Sequence, residues 1–201
     1  MIQLKQSYTP ADDNTAGFAN DVNTTSGLPF ALTATTVADD MAHLVIITPS
    51  VSVTGNYTLT GTDADGAAQT ETLATSTTNP VTSAKYYNTL TSVLAPSGIG
   101  AATVDIGWTD DVVSPTVPVK WHQHPFQVGI AADVAGTISY TVQHAYDALA
   151  TAQDLWFPKS DMTAKTVDAD ASYATPVTGV RLLLNSLTAG ATIVFYVLQG
   201  K

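Results

Sequence analysis

Cysteine is absent from the 201 residues, arginine occurs once, at Arg181, and no stretch of about 18 consecutive apolar residues exists. The first absence excludes a disulfide scaffold, a thiolate metal site and a cysteine nucleophile. The second leaves scattered lysines as the only other fixed cations, too few for the basic footprint that a phosphate backbone requires, so no nucleic-acid partner is expected. The third excludes a membrane-spanning helix, and a net charge of −10 disfavours an anionic membrane surface. Charged residues make up only 12% of the chain, against about a quarter in ordinary globular domains, which argues against coiled coils and long solvent-facing helices. The opening residues Met1 to Gln6 have neither the basic region nor the apolar run of a signal peptide. The expectation is a protein that works where it is made, or leaves by a route other than the general secretory one.

Apolar residues reach 45%, enough to bury a core, and threonine and valine recur throughout, as half-buried strands require. Short strand-like runs alternate with turn residues. Expected strands cover Phe30 to Thr35, Leu44 to Ile47, Tyr57 to Thr62, Gln69 to Leu73, Tyr86 to Leu94 and Thr103 to Trp108. Between the third and fourth, Asp63-Ala64-Asp65-Gly66 is a hairpin signal, because Asp-Gly tolerates the positive φ angles of tight turns. Further strands are expected over Phe126 to Ala131, Gly136 to His144, Gly179 to Asn185 and Ala191 to Gln199, with Val180, Leu182 and Leu184 facing inward. Tyr146 to Gln153 is the one segment with helical potential, and a coil there is equally consistent with its length.

Pro115 and Pro118 interrupt periodicity over Asp110 to Pro118, which predicts an extended linker and a boundary near residue 116. The expected organisation is all-β: an extended N-terminal arm over residues 1–28, a first antiparallel β-sandwich over 29–116 and a second over 117–201. The arm is polar and punctuated by Pro10, Gly17 and Gly27, yet it carries Ile2, Leu4, Tyr8 and Phe18 as spaced apolar anchors. These four are the candidate partner-binding residues, because such a segment offsets its ordering entropy by lying along a partner; the alternative is an isolated disordered tail.

Other constellations are weak. His122 and His124 share a face if extended, and a metal site there needs a third ligand such as His144 or Asp147. Asp63, Asp65 and Glu71 do not match the spacing of a helix-loop-helix calcium site, and turn chemistry accounts for Asp65-Gly66. Adjacent carboxylates such as Asp12-Asp13, Asp39-Asp40 and Asp110-Asp111 point to opposite faces of an extended chain and make poor acid/base pairs. Trp108, Trp121 and Trp156 are candidates for a sugar-stacking platform, although tryptophan in a sandwich more often anchors the core. No catalytic constellation, resident metal or cofactor is expected.

The order of several motifs resembles structural proteins of tailed-bacteriophage virions, over residues 30–201. In the first half these are Tyr57 to Gly66, then Gln69-Thr70-Glu71-Thr72, then Lys85-Tyr86-Tyr87-Asn88-Thr89-Leu90-Thr91-Ser92-Val93, closed by Ile106-Gly107-Trp108-Thr109. In the second half they are Gly136 to Asp147, Trp156-Phe157, Pro176-Val177-Thr178-Gly179-Val180-Arg181-Leu182 and Val197-Leu198-Gln199. Ala145 and Ala148 depart from that pattern, where it has a threonine and a second aspartate. The resemblance implies a non-enzymatic capsid decoration or cement protein, a homo-oligomer with a trimer favoured, whose partners are the major capsid protein or other virion proteins. It implies a location in the virion, assembled in the host bacterial cytoplasm. The alternatives are a tail or head-fibre component, or a receptor- or carbohydrate-binding β-sandwich module.

Overall fold

A computed structural model describes residues 2–75, 79–122, 124–146 and 155–200. The fold is all-β and its sheets are antiparallel, with no α-helix among the described residues. Beyond Tyr146, the segment with helical potential lies outside the described residues. The chain divides into two compact units: a terminal unit of Met1–Ala11 with Val113–Lys201, and a central unit of Asp12–Val112.

Strand β1 (Ile2–Tyr8) opens the terminal unit, and the central unit follows with β2 (Asn14–Val22), β3 (Ala42–Pro49), β4 (Asn56–Thr62), β5 (Ala68–Ala74), β6 (Val81–Tyr87), β7 (Thr89–Leu94) and β8 (Val104–Val113). One central sheet runs β5-β4-β7, and the other runs β8-β3-β6 with β2 added to β8. The expected hairpin is β4–β5, in unbroken register from Asn56 opposite Ala74 to Thr62 opposite Ala68. Its turn is held by the Asp63 carboxylate, which accepts from the amides of Asp65 (3.0 Å) and Ala67 (2.8 Å), while Gly66 takes a φ of 82° that an L side chain resists. Tyr57 and Leu59 alternate into the core, and Phe30 packs its ring 6.3 Å from that of Tyr57.

The terminal unit continues with β9 (Val117–Pro118), β10 (Val128–Ala135), β11 (Ile138–Ala145), β12 (Phe157–Pro158), a single 3-10 turn (Ser160–Met162), β13 (Ala169–Tyr173), β14 (Gly179–Leu187) and β15 (Thr192–Gln199). One of its sheets has the order β1-β15-β10-β13, and in the other β14 lies between β11 and β9 with β12 outside β11. Ile193, Phe195 and Val197 of β15 alternate into the core, as do Val128 and Ile130 of β10. Val180, Leu182 and Leu184 of β14 are fully buried, in the register expected, whereas Arg181 and Leu183 are half-buried and Asn185 is exposed. Each sheet thus buries one face, the arrangement from which a sandwich core is built.

Four expectations need correction. Residues 1–28 are not a separate arm. Strand β1 pairs along its length with β15, from Ile2 opposite Gln199 to Tyr8 opposite Ile193, and β2 pairs with β8 in the other unit. The periodic signal was weak for a physical reason: β1 turns Leu4, Gln6 and Tyr8 inward and only Tyr8 is buried, while β2 is broken by two register shifts. Phe30 to Thr35 is not a strand. It touches β7 through the isolated bridges Pro29–Leu94 and Thr36–Thr89, and the Thr33 amide and hydroxyl turn instead to the Phe18 carbonyl.

The strand expected over Tyr86 to Leu94 is two, β6 and β7, which separate at Asn88 and enter different sheets. The double-proline segment is not a solvated linker. Val112, Val113, Ser114, Val117 and Val119 are buried, and the chain lies along β14: the Ser114 amide donates to the Leu182 carbonyl and the Leu182 amide to the Ser114 hydroxyl, each at 3.0 Å. The division between units accordingly falls at Val112–Val113 rather than at residue 116, with the first eleven residues joining the second half of the chain.

Tyr57 is fully buried, and its hydroxyl alone among the described buried side-chain polar atoms lacks a hydrogen-bond partner. Burial pushes the phenol up to about 12, so above pH 10 the unfolded chain ionises while the native one does not, and native stability is lost as pH rises from 10 toward 12. Removing the hydroxyl relieves a desolvation cost of about 1–3 kcal/mol. Tyr57→Phe is therefore expected to be at least as stable as the parent at pH 7, and to lose less stability between pH 10 and 12, as read by urea unfolding at each pH.

Candidate functional site

The residues that carry the motif pattern gather into two polar clusters, one in each unit. In the central unit, β5 turns Gln69 and Glu71 toward β6, which belongs to the other sheet. The Glu71 carboxylate accepts from the amides of Ala84 (2.7 Å) and Lys85 (3.2 Å). The Gln69 side-chain amide donates to the Tyr86 carbonyl at 2.6 Å, and the Lys85 ammonium donates to the Thr70 carbonyl at 3.1 Å. Alternation along β5 places Gln69 and Glu71 on one face, so two side chains spaced i, i+2 serve successive backbone groups of one strand. The carboxylate does the work of a neighbouring strand where β6 has none. The Tyr87 hydroxyl lies 3.5 Å from Glu71, and burial first, then the carboxylate's charge, raises that phenol above its ordinary range.

A buried His–Asp pair lies elsewhere in the central unit. His43 Nε2 is 2.8 Å from Asp39, and Nδ1 is 2.9 Å from the Thr109 carbonyl. Both side chains are closed off from solvent, and the second nitrogen meets a carbonyl instead of a nucleophile. The pair fastens the segment before β3 to β8.

In the terminal unit, β11 and β14 place Gln143 opposite Arg181 on one face. The only arginine of the chain donates from Nε to Gln143 at 2.8 Å and lays its guanidinium 4.1 Å from the centre of the Trp156 ring. On the other face, His144 sits among Tyr146, Phe157 and Tyr173, with ring centres 5.1, 6.1 and 5.2 Å away. Its two nitrogens meet two phenols: Nδ1 is 3.3 Å from the Tyr173 hydroxyl, and Nε2 is 3.2 Å from that of Tyr146. The Lys159 ammonium lies 5.4 Å from the centre of the Tyr173 ring and donates to Asp161 at 2.6 Å.

This cluster borders an open cleft of about 250 Å³, whose lining includes His144, Tyr146, Lys159 and Tyr173. Burial first, and then the Lys159 charge, pulls the imidazole below the ordinary histidine range. Burial first, with the charges of Asp161 and Tyr146 adding to it, keeps Tyr173 protonated well above the ordinary phenol range. The cleft therefore combines neutral hydrogen-bonding rings with one internally balanced ion pair. Among the described residues it is the strongest candidate site.

The residues singled out from sequence are distributed otherwise. Of the proposed partner anchors, Tyr8 and Phe18 are core residues of their own units, 6% and 1% exposed, with Phe18 set edge-on against Trp108. They are unavailable for a partner for the ordinary reason that apolar rings bury first within the chain. Leu4 is half-buried on β1, and Ile2 stands opposite Gln199 at the start of that strand.

The three tryptophans form no common platform. The Trp108 indole donates to the Asp12 carbonyl at 3.0 Å and covers Gly17, where a Cβ would strike the ring. Trp156 is held by Arg181, and Trp121 is 56% exposed beside His122. His122 and His124 are exposed, the latter preceding a cis peptide bond to Pro125, and His144 is engaged with its tyrosines. Asp147 lies outside the described residues, among which no group of three or more metal-ligating side chains is placed to hold an ion. The His144 cleft was missed because Tyr146, Lys159 and Tyr173 come from three separate segments, and their only common signal is aromatic content.

Two outcomes follow from these geometries. Glu71→Ala leaves two β6 amides without their charged acceptor and is expected to cost about 1.5–3 kcal/mol of stability, with Glu71→Gln costing less, as read by chemical denaturation. A histidine whose folded value lies below its unfolded value of 6.5 leaves stability intact above pH 6.5, and stability falls as pH drops through 6.5 toward the folded value. His144→Gln should therefore flatten the loss of stability between about pH 6.5 and 5, above the range where carboxylates titrate. Comparing urea midpoints of the two proteins across that window reads the difference.

Comparison of the chain with protein-family models finds no match, and comparison with curated proteins finds none either.

Proposed function

We propose that the protein is a non-enzymatic structural component of a tailed-phage virion, a capsid decoration or cement protein that stabilises the shell as a homo-oligomer, with a trimer favoured. The observation that carries this reading is the use made of the motif residues. Gln69, Glu71 and Lys85 bond backbone groups across two sheets, and Gln143, Arg181 and Trp156 lock neighbouring strands. The side chains that define the resemblance hold strands in place, as a protein whose work is binding energy requires.

Two further features agree with it. With no cysteine to cross-link, the chain is held without disulfides, by packing, hydrogen bonds and a few charge contacts. Strand β1 forms the rim of its sheet, with Gln3, Lys5 and Ser7 exposed, so a neighbouring subunit or capsid protein has a strand edge to extend. The partner-binding role first given to four spaced anchors contracts to this rim, since Tyr8 and Phe18 are already buried.

The test is co-sedimentation of the purified full chain with shells of the major capsid protein from the same phage, together with the melting temperature of the shells. The protein is expected to pellet with shells at a fixed stoichiometry and to raise their melting temperature. Protein that stays in the supernatant and leaves shell melting unchanged overturns the reading.

A further inference from the structure

We propose that the cleft beside His144 is a binding site for a single uncharged hexopyranose ring. Hydrogen-bond direction, charge balance, shape and size each favour such a ligand, whatever role the protein has in a virion.

Direction comes first. Among the described residues, the buried Tyr173 hydroxyl makes its one hydrogen bond to His144 Nδ1. With no other acceptor for its hydrogen among the described residues, the Tyr173 hydroxyl donates to Nδ1, which leaves the proton of a neutral imidazole on Nε2. That N–H then donates to the Tyr146 oxygen. The relay leaves the Tyr146 hydroxyl hydrogen pointing onward, and Tyr146 is 54% exposed at the mouth of the cleft. Ser160, Ser172 and Thr175 are further polar residues of the same lining. A ligand whose own groups all donate and accept suits this set, and a sugar hydroxyl is such a group.

Charge comes second. Lys159 is the cation of the lining, and it is bonded to Asp161 at 2.6 Å. His144 is neutral. A phosphate or carboxylate would have to compete with Asp161 for the one cation of the lining, so the site favours an uncharged ligand.

Shape and size complete the case. The Tyr146 ring stands 85° to the imidazole plane and is flanked at 5.7 Å by Phe157, itself 43% exposed. Phe157 lies behind it, outside the cleft lining, so the exposed Tyr146 ring is the aromatic surface offered to the weakly positive C–H bonds on one side of a pyranose ring. The cleft of about 250 Å³ falls below the roughly 300–1,000 Å³ of sites for drug-sized ligands, so it holds one ring and leaves any continuing chain in solvent. A single ring in an open cleft of this kind binds with a Kd on the order of 1 mM.

Saturation-transfer difference NMR on the full chain, with glucose, galactose, mannose and N-acetylglucosamine as separate probes, tests the proposal. Transfer to the C–H protons of at least one probe is expected. It should weaken several-fold in Tyr146→Phe, which keeps the ring and loses the donor, and vanish in Tyr146→Ala. It should be unchanged in Trp121→Ala, which removes the exposed indole elsewhere in the same unit. Tyr146 is exposed, and its substitution leaves the core intact. Absence of transfer from all four probes overturns the proposal, as does transfer that survives Tyr146→Ala or disappears in Trp121→Ala.

Discussion

Every strand at the rim of a sheet carries amide and carbonyl groups that must be bonded or hydrated, and in this protein side chains meet much of that demand. Glu71 takes two amides of β6, and the Ser83 hydroxyl accepts from Val45 at 2.8 Å where the β3–β6 register shifts. Ser114 both donates to and accepts from Leu182. Gln199, buried at the end of β15, accepts from the Lys120 amide and donates to the Lys120 carbonyl, at 3.0 and 2.9 Å. Thr178 donates to Ala145 through both its amide and its hydroxyl. Each such bond secures a segment that ladder pairing alone would leave loose.

That constraint explains the composition. Short hydroxyl and amide side chains reach adjacent backbone without the solvation demand of a full charge, which is why charged residues can be scarce in a chain so rich in strands. It also explains why the polar residues of the motif pattern offer little chemistry. A carboxylate bonded to two amides, or an arginine stacked on tryptophan and bonded to glutamine, is already engaged. The His144 cluster differs in that it borders an open cleft.

Much of the strand pattern was legible. The β4–β5 hairpin, the inward register of Val180, Leu182 and Leu184, and the positions of β3, β10, β11, β14 and β15 follow from alternation and turn chemistry, which are local. Strands β1, β2, β9, β12 and β13 were not legible. Two of them are two-residue bridges, β2 is broken by register shifts, and β1 and β13 bury few large side chains, so none carries a clear period. The prolines at 115 and 118 read as a linker because they interrupt the periodicity, and proline has no backbone N–H to give a ladder. Here the neighbouring Ser114 and Val119 supply the amides that fasten the segment to β14 and to Thr178.

Taken alone, the sequence determined an all-β chain without disulfides, with a hairpin at Asp65-Gly66 and a core face on β14. These depend on residues close together in the chain, where sterics and periodicity act directly. Only the tertiary structure decided that the first eleven residues complete the unit of the last eighty-nine. It alone decided that Phe18 belongs to a core, and that His144, Tyr146, Lys159 and Tyr173 enclose one cleft. Each of those outcomes joins segments far apart in sequence, and which distant edges pair is settled by the backbone groups left unsatisfied and the apolar faces left uncovered once the local strands have formed.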